Sequence, residues 1–446
     1  EYLYLRDAIA SNRPFNKIAT DFITYTGKYI EGPGGFLVRP IYSTEIAQDA
    51  YDELAAETTR TFLGVQAVCV SCHNGQAHLE QVNAYFTNKK RAEYWGLAAF
   101  YAQTDYIFSD DEFENIRIIN KRNGRYLAQT RDGMRPPRNG GEIQPSYELF
   151  GEGKPNSGED PRAALARLIT NDLQFSRAFV NRVFAHFFTL GLVEPLDGFD
   201  LARLDPKNPP AEPWQLQPSH PQLLNDLAIF FQKSGYDLRE LITLIVRSRA
   251  YSLSSRYDES KWKEEYTRLY ARKLVRRLQA EEVLDAITTA TARPGVYVAY
   301  GFSKPFNSAM ALPGVEEPSY VRGGPRPSDD PYLVYRFLQD FGRGDRYAIF
   351  RSNNSSIAQA LSLFNSDLLI RRLNNENGLP NLLASTLNQS KATPEQGVAY
   401  LYLITIGRLP SAAEIDTLKN PIMRGQETIA DLQWALLNRP DFLYNY

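Results

Sequence analysis

The stretch DPRAALARLITNDLQFSRAFVNRVFAHFFTLGLVEP, residues 160–195, decides the fold class. It begins with Asp160, a residue type that commonly caps helix N-termini, and Pro161, which suits the first helical position. Apolar residues then recur at helical spacing, and a polar interruption falls near Asn171. The stretch therefore predicts two consecutive helices.

Helix-start and helix-stop signals recur along the rest of the chain. An apolar stripe predicts a helix over residues 46–62, with Ser or Thr before it and Gly64 after it, so that it ends just before the cysteines. Further helices are predicted in the segments LEQVNAYF and KKRAEYWGLAAFYAQTDY. Strand signals are few, and the clearest is GVYVAYG from Gly295. We therefore expect a mainly α, two-domain helical protein with long irregular loops. Other start signals are Ser219 with Pro221, Asp237 with Glu240, Thr393 with Gln396, and Ser411 with Glu414.

Two irregular stretches suggest how the chain is organised. Its 446 residues correspond to about two or three domains at roughly 150 residues each. Residues 134–158 are rich in Gly, Pro and Asn, which predicts an exposed linker between domains. Residues 312–331 are similar in composition and predict a long surface excursion. We therefore place a first domain at residues 1–140 and a second, helical domain at residues 141–446.

Charge and hydropathy exclude several classes of protein. The chain has 50 basic and 52 acidic side chains, and no long stretch is dominated by Lys and Arg, so we do not expect it to bind nucleic acid. No uninterrupted apolar run approaches the roughly 18 residues of a membrane span, so we expect no transmembrane segment. Two cysteines rule out a disulfide framework.

Both cysteines fall in one motif, Cys69-Val70-Ser71-Cys72-His73. The pattern C-x-x-C-H is typical of haem c attachment, because two thiols one short turn apart reach the two vinyl groups and the adjacent imidazole binds the iron. A structural zinc site would have to take Cys69, Cys72, His73 and His78 from ten consecutive residues, which is tighter than the usual separated ligand pairs. A redox dithiol normally follows a strand, whereas the preceding text here is helical. We favour haem c, and both alternatives remain open.

The second axial ligand of such an iron decides between electron transfer and small-molecule chemistry. His186 ranks first, because it shares a helical face with Phe179 and Val183. His78 is an alternative, and so, more weakly, is Met134, which lies in the irregular segment RDGMRPPRNGG. His220 is expected to belong to a helix start instead.

Several segments resemble the planctomycete-cytochrome-associated paired domains of unknown function, which are usually fused and occur in exported bacterial proteins. The resemblance covers nearly the whole chain and is carried by TFLGVQAVCVSCHNGQAHLEQVNAYF, FVNRVFAHFFTLGLVEPLDGFD, QPSHPQLLNDLA and DLQWALLNRPDFLYNY, among others. Many members continue CHDHP after the motif, whereas this chain has His73-Asn74-Gly75. The resemblance implies export to the periplasm or cell surface. It also implies one covalent haem c on Cys69, Cys72 and His73, in a first domain that is incomplete at its N-terminus.

The resemblance implies no reaction, so enzymatic activity and catalytic residues stay undetermined. We expect a c-type cytochrome-like electron carrier whose partners are redox proteins or other subunits of a cell-envelope complex. One alternative is a structural or binding subunit of such a complex with an accessory haem. The other is a haem enzyme with an open distal site.

Overall fold

The computed structural model describes residues 1–42, 46–108, 116–129, 133–135, 137–299, 302, 304–313, 327–344, 351–352 and 354–445. These residues form nineteen α-helices and only short strands, so the prediction of a mainly α protein is confirmed. Contacts divide the chain into two compact units, Glu1–Leu274 and Val275–Tyr446. The boundary predicted near residue 140 lies inside the first unit, and the division into domains 1–140 and 141–446 stays a prediction.

Helices of the first unit enclose a core rich in aromatic side chains, among them Phe62, Phe175 and Phe231. Within its described residues the helices are α1 Tyr2–Ala10, α2 Phe15–Thr24, α3 Gly35–Val38, α4 Ala47–Thr58, α5 Val68–Cys72, α6 Arg91–Ala98, α7 Pro161–Asn171, α8 Leu173–Phe188, α9 Pro221–Lys233 and α10 Leu238–Val246.

The two helices predicted from residues 160–195 are α7 and α8. The Asp160 carboxylate accepts a hydrogen bond from the Ala163 N–H at 3.0 Å, and the Asp172 carboxylate accepts one from the Gln174 N–H at 2.8 Å. Each aspartate thereby satisfies a free donor at a helix start. The polar break between the helices therefore supplies the cap of the second one, as the spacing predicts.

The strands of the first unit lie outside the segment predicted to be a strand. They are β1 Gly27–Lys28, β2 Thr104–Phe108, β3 Ile116–Asn120, β4 Tyr126–Ala128 and β5 Gly141–Ile143. The first three form an antiparallel sheet in the order β1-β3-β2, with Thr104 opposite Asn120, and β4 pairs with β5. In the predicted strand from Gly295, the described residues show a single bridge between Tyr297 and Phe306, and residues 300 and 301 lie outside the described residues.

One predicted helix, LEQVNAYF at residues 79–86, is wrong, because turns occupy this segment. The Asp200 carboxylate accepts the N–H groups of Ala84 and Tyr85 at 2.8 and 3.0 Å, and the Asn83 side chain accepts that of Phe86 at 3.0 Å. Side-chain acceptors therefore satisfy donors that a helix would have paired with its own carbonyl groups.

The second unit is helical and has its own hydrophobic clusters. Capping boxes at Thr393 and Ser411 start the helices Pro394–Ile406 and Ala412–Leu418, as predicted. Residues 314–326 of the predicted surface excursion lie outside the described residues. The elements of this unit are α11 Ala280–Ala290, α12 Pro331–Asp340, α13 Ile357–Asn365, α14 Asp367–Leu373, α15 Leu379–Asn388, α16 Pro394–Ile406, α17 Ala412–Leu418, α18 Gln426–Leu437, α19 Pro440–Leu443, and the antiparallel pair β6 Arg276–Arg277 and β7 Tyr444–Asn445.

Residues 134–158 are packed into the first unit over part of their length. Arg138 and Leu149 are fully buried, and Tyr147 is 3% exposed. The prediction that the whole stretch is an exposed linker is therefore wrong, because its composition does not reveal which of its side chains are buried. Among the described helices, none combines the length and the apolar character needed to cross a membrane.

Candidate functional site

The cysteine motif lies on α5, immediately after the chain reverses direction. Helix α4 continues into a π-helical turn over Thr59–Leu63, and Gly64 ends it in a left-handed conformation with φ 66°. The Gly64 carbonyl accepts the N–H of Phe199 at 2.9 Å, which fixes this stop against the core. The helix predicted to end just before the cysteines therefore does so, through a glycine that adopts positive φ without strain.

Helix α5 has a buried side and an exposed side. Val70 and Ser71 are fully buried, whereas Val68 is 41% exposed and Cys72 is also exposed. Cys69 is partly buried and packs against the core, and neither cysteine forms a disulfide. Residues three apart on a helix are neighbours on its surface, so both thiols lie along one edge of the exposed side.

His73 follows the last helical residue in an extended conformation, with φ −152° and ψ 167°. Its Nδ1 atom lies 2.9 Å from the carbonyl oxygen of Asn74. Because a carbonyl oxygen only accepts, Nδ1 carries the hydrogen in this bond. In the neutral ring Nε2 then has the free lone pair, which is the nitrogen that a metal would bind.

His78 lies beside His73, with ring centroids 4.3 Å apart and planes tilted by 42°. Two axial ligands of a haem have the porphyrin plane between them, and rings this close leave no room for it. In this arrangement, therefore, His78 would not hold the iron of a haem from the side opposite His73.

The residues after His73 hold the motif against α6. The Asn74 side-chain oxygen accepts the backbone N–H of Arg91 at 2.9 Å, and the Gly75 N–H donates to the Lys89 carbonyl at 2.8 Å. A Cβ atom on Gly75 would overlap the carbonyl oxygen of Phe86. This position therefore requires glycine because another stretch of backbone passes directly against it.

The buried side of α5 is bonded to residues 133–135 and 137–138, which we call the 133–138 segment although residue 136 lies outside the described residues. Ser71 Oγ accepts from Arg135 Nε at 2.7 Å, and the Ser71 carbonyl accepts from Arg91 Nε at 2.7 Å. Arg91 also donates to the backbone carbonyls of Arg135 and Pro137. Its pKa is lowered by burial and by the nearby charge of Arg138. One arginine thus joins the cysteine helix and the segment through three carbonyl groups.

Behind this contact lies a buried ionic group, the Arg138 cluster, made of Arg138, Asp49, Asp52 and Tyr126. One guanidinium nitrogen, Nη2, donates to both carboxylates, and all three charged side chains are fully buried. Tyr126 donates its hydroxyl hydrogen to Asp52 at 2.8 Å. Such burial is tolerated because each charge has a partner of opposite sign or a hydrogen-bond donor.

The cluster shifts the titration of its own members. Burial raises the pKa of Asp52, although the hydrogen bond and the charge of Arg138 oppose this. Burial works to lower the pKa of Arg138, but the hydrogen bonds to Asp49 and Asp52 outweigh it and hold that pKa above its usual value. The pKa of Tyr126 is raised by burial and by the charge of Asp52.

The sequence reasoning missed this cluster. Asp49 and Asp52 lie three apart on α4, which places them on one side of the helix, whereas Tyr51 and Leu54 lie on the opposite side. Acids opposite core residues are typical of a solvent-facing side, so the sequence pattern gives no sign that these two are buried. Their partner, Arg138, lies in the stretch that its composition assigned to a linker.

The remaining predicted ligands lie at separate places in the first unit. His186 is exposed on α8, and its ring contacts that of Phe187 with centroids 5.1 Å apart. Phe179 and Val183 pack against the core, so His186 is exposed although the sequence pattern grouped it with these two residues. His220 precedes α9, as predicted, and its Nδ1 lies 3.2 Å from Ser219 Oγ. In the described residues, the hydrogen bonds and ring contacts of these two histidines do not include the cysteine motif. Met134, in contrast, lies in the 133–138 segment and is 50% exposed.

Among the described residues, no three or more His, Cys, Asp or Glu side chains are grouped so that they could hold a metal ion. Cys69, Cys72, His73 and His78 all lie within the described residues and do not form such a group. The zinc alternative therefore has no support from the positions of these side chains. The segment before α5 is helix and turn, and the strand typical of a redox dithiol does not precede it.

Comparison with known proteins gives one match. No curated protein and no solved structure matches the chain. A family model described as "PSD1: Protein of unknown function (DUF1553)" matches residues 161–422, from the first residue of α7 onward, and the cysteine motif lies outside the matched range. Because the match covers more than half of the chain, the protein belongs to this family of proteins of unknown function.

Proposed function

We propose that the protein is an exported c-type cytochrome-like electron carrier that holds one covalent haem through Cys69, Cys72 and His73. The observation that carries the proposal is the state of these three side chains. Both thiols are free on one edge of α5, and the hydrogen bond to the Asn74 carbonyl leaves Nε2 of His73 available. This donor set has the chemistry that covalent haem requires.

The chain's own residues would hold the group as follows. The two cysteine sulfurs would form thioether bonds, and His73 would be the proximal ligand. The Asn74 carbonyl would fix the imidazole tautomer and the orientation of the ring. Arg135 and Arg91 would keep α5 in place through Ser71. When bound, haem c supplies one-electron chemistry at its iron.

The exposed side of α5 also suits a large apolar group. Val68, next to Cys69 on this side of the helix, is 41% exposed. Covering this apolar side chain with a bound apolar group would be favourable. Export and the cell-envelope location of the redox partners belong to the proposal and rest on the resemblance to planctomycete-cytochrome-associated domains.

The test is expression of the full chain in a bacterium with c-type haem maturation, followed by the pyridine haemochrome spectrum of the purified protein. We expect a spectrum with both vinyl groups saturated in the wild type and no covalent haem in the Cys69→Ser, Cys72→Ser double variant. A His220→Gln variant is the matched control and should retain the haem. A wild-type protein that matures without covalent haem, in a host that loads a known cytochrome in parallel, refutes the proposal.

A further inference from the structure

We propose that two copies of this chain associate through the outer face of α13 in the second unit, an inference that does not depend on haem. Ile357, Leu361 and Phe364 form this face, because they recur at i, i+4 and i+7 along the helix. They are 81%, 55% and 52% exposed, and Ile357 is the most exposed large apolar side chain among the described residues.

Helix α13 has the reverse of the usual distribution of polar and apolar side chains. Two of its three buried residues, Gln359 and Ser362, are polar, whereas its outer face is apolar. Its nine residues, IAQALSLFN, include no charged side chain. A helix that faces water normally has polar or charged residues on its outer side and apolar residues toward the core. The outer face of α13 is therefore suited to contact with another apolar surface.

The buried polar side chains hold α13 in place. Ser362 Oγ donates to the Asp340 carboxylate on α12, and the Gln359 amide donates to the Asn354 carbonyl at 3.0 Å. Ser356 caps the helix by accepting the Gln359 N–H at 3.3 Å. The apolar face is therefore carried by an anchored helix, which reduces the conformational entropy lost on association.

The same surface carries an exposed aromatic side chain and a cavity. The ring of Phe364 contacts that of Trp434 with centroids 4.8 Å apart, and Trp434 Nε1 donates to the Phe364 carbonyl at 3.1 Å, so the exposed ring is held from one side. A cavity of about 390 Å³ lies between α12, α13 and α14. Its apolar lining comes from Leu333, Phe337, Leu361 and Leu368.

This pairing of a protruding group with a cavity suits a two-fold interface. In such an interface the same patch of both copies supplies the two halves of every contact. Phe364 lies three residues beyond Leu361, which lines the cavity, so the two features are neighbours on the helix surface. We place the Phe364 ring of each copy at the cavity of the other.

The charges at the rim of the cavity favour a second copy over a membrane surface. Arg336 and Asp367 lie at this rim and are exposed, and within the described part of the second unit neither forms an ion pair. Together with Asp340 they give two carboxylates and one guanidinium, whereas an anionic lipid surface attracts an excess of basic groups. Under a two-fold axis, Arg336 of one copy can meet Asp367 of the other at both contacts.

The experiment measures the dissociation constant of the dimer by sedimentation equilibrium of the purified full chain. One short helix offers a small contact area, so we expect a weak, reversible dimer. Phe364→Glu should raise its dissociation constant by about 30-fold or more, as the loss of a central aromatic contact does. The matched control is Leu382→Glu on α15, where the side chain is 50% exposed and lies outside the proposed face, and this variant should associate like the wild type. Circular dichroism checks that both variants are folded.

Charge reversal tests whether the contact is between copies. Arg336→Glu and Asp367→Arg each place like charges at both contacts of their own dimer and should weaken it by about tenfold. An equimolar mixture of the two variants should recover the wild-type association, because opposite charges then meet at both contacts. An effect confined to one chain does not produce this recovery.

Three results would overturn the proposal. The first is a wild type that stays monomeric at the highest concentration reached, and the second is a dimer that Phe364→Glu leaves unchanged. The third is a monomer that sediments with vesicles of phosphatidylglycerol and phosphatidylcholine and loses this binding in Phe364→Glu, which would assign the face to a lipid surface.

Discussion

Replacement of Arg138 by methionine is the perturbation that tests the buried cluster most directly. The substitution keeps much of the apolar volume of the side chain but leaves Asp49 and Asp52, both fully buried, without their shared cation. Removing one partner of a buried ion pair typically destabilises a protein by about 3–5 kcal/mol, because the remaining charge is uncompensated. Asp52 keeps the Tyr126 hydroxyl, which places our expectation at about 3–4 kcal/mol.

The assay is chemical denaturation of wild type and variant, with the midpoint and slope of the unfolding transition of the first unit compared. The matched control is Arg125→Met, which removes an ion pair to Glu142 whose side chains are 62% and 40% exposed. Exposed pairs contribute about 0–1 kcal/mol, so this variant should lie close to the wild type. Equal stability losses in the two variants would refute the claim that Arg138 compensates buried charge.

The same variant has a pH dependence whose sign follows from Asp52. Burial raises the folded-state pKa of Asp52, so this group binds its proton more tightly in the folded protein than in the unfolded one. Its contribution to stability therefore falls as pH rises above the unfolded pKa of about 3.9. Arg138 limits that rise through its hydrogen bond and its charge. Arg138→Met should therefore be less destabilised at about pH 4 than at about pH 7.5, and adding Asp52→Asn should recover stability mainly at the higher pH. A loss that does not change with pH would contradict this account.

Two further predictions concern single contacts. Gly75→Ala should destabilise the protein by about 1–3 kcal/mol in the same denaturation assay, because the new Cβ would overlap the Phe86 carbonyl. It should also lower the yield of covalent haem. The control is Gly151→Ala, where no atom lies within 4 Å of the new Cβ, and its stability should stay within about 0.5 kcal/mol of the wild type. The hydrogen bond from Arg167 lowers the pKa of Glu159 to about 2, so its stabilising contribution is present at neutral pH and is lost as pH falls toward that value. Arg167→Ala should raise this pKa toward the ordinary glutamate value, and an NMR titration of the Glu159 side chain that shows no rise would contradict the assignment.

The helical part of the fold could be predicted because its signals are local. Asp160, Thr393 and Ser411 each cap a helix through their own side chains, and the chemistry of such a cap is visible within four residues of sequence. The strands were missed for the opposite reason. Thr104–Phe108 is a strand because Ile116–Asn120 lies beside it, and pairing between separate segments is not encoded in either segment alone.

The same contrast between local signals and contacts from distant segments applies to the candidate site. The cysteine motif and its histidine are adjacent in sequence, so spacing alone identified them. The residues that hold the motif come from elsewhere, since Arg135 lies 64 positions from Ser71, and Arg138 lies 89 positions from Asp49. Composition assigned these arginines to a linker, because a Gly-, Pro- and Asn-rich stretch gives no sign that a few of its side chains are fully buried.

Helix α5 is fixed on one side and accessible on the other, which suits the proposed attachment of haem. On its buried side, α5 is tied through Ser71 to Arg135 and Arg91, and the 133–138 segment is in turn fixed by the Arg138 cluster. On its other side, Cys72 is exposed and Cys69 is at the edge of the core. Covalent attachment requires thiols that a maturation system can reach, and retention by thioether bonds does not require a deep pocket. Helix α5, which is bonded on its buried side and has accessible thiols on its other side, satisfies both requirements. A structural zinc site or a core-packing role would instead have favoured burial of the thiols.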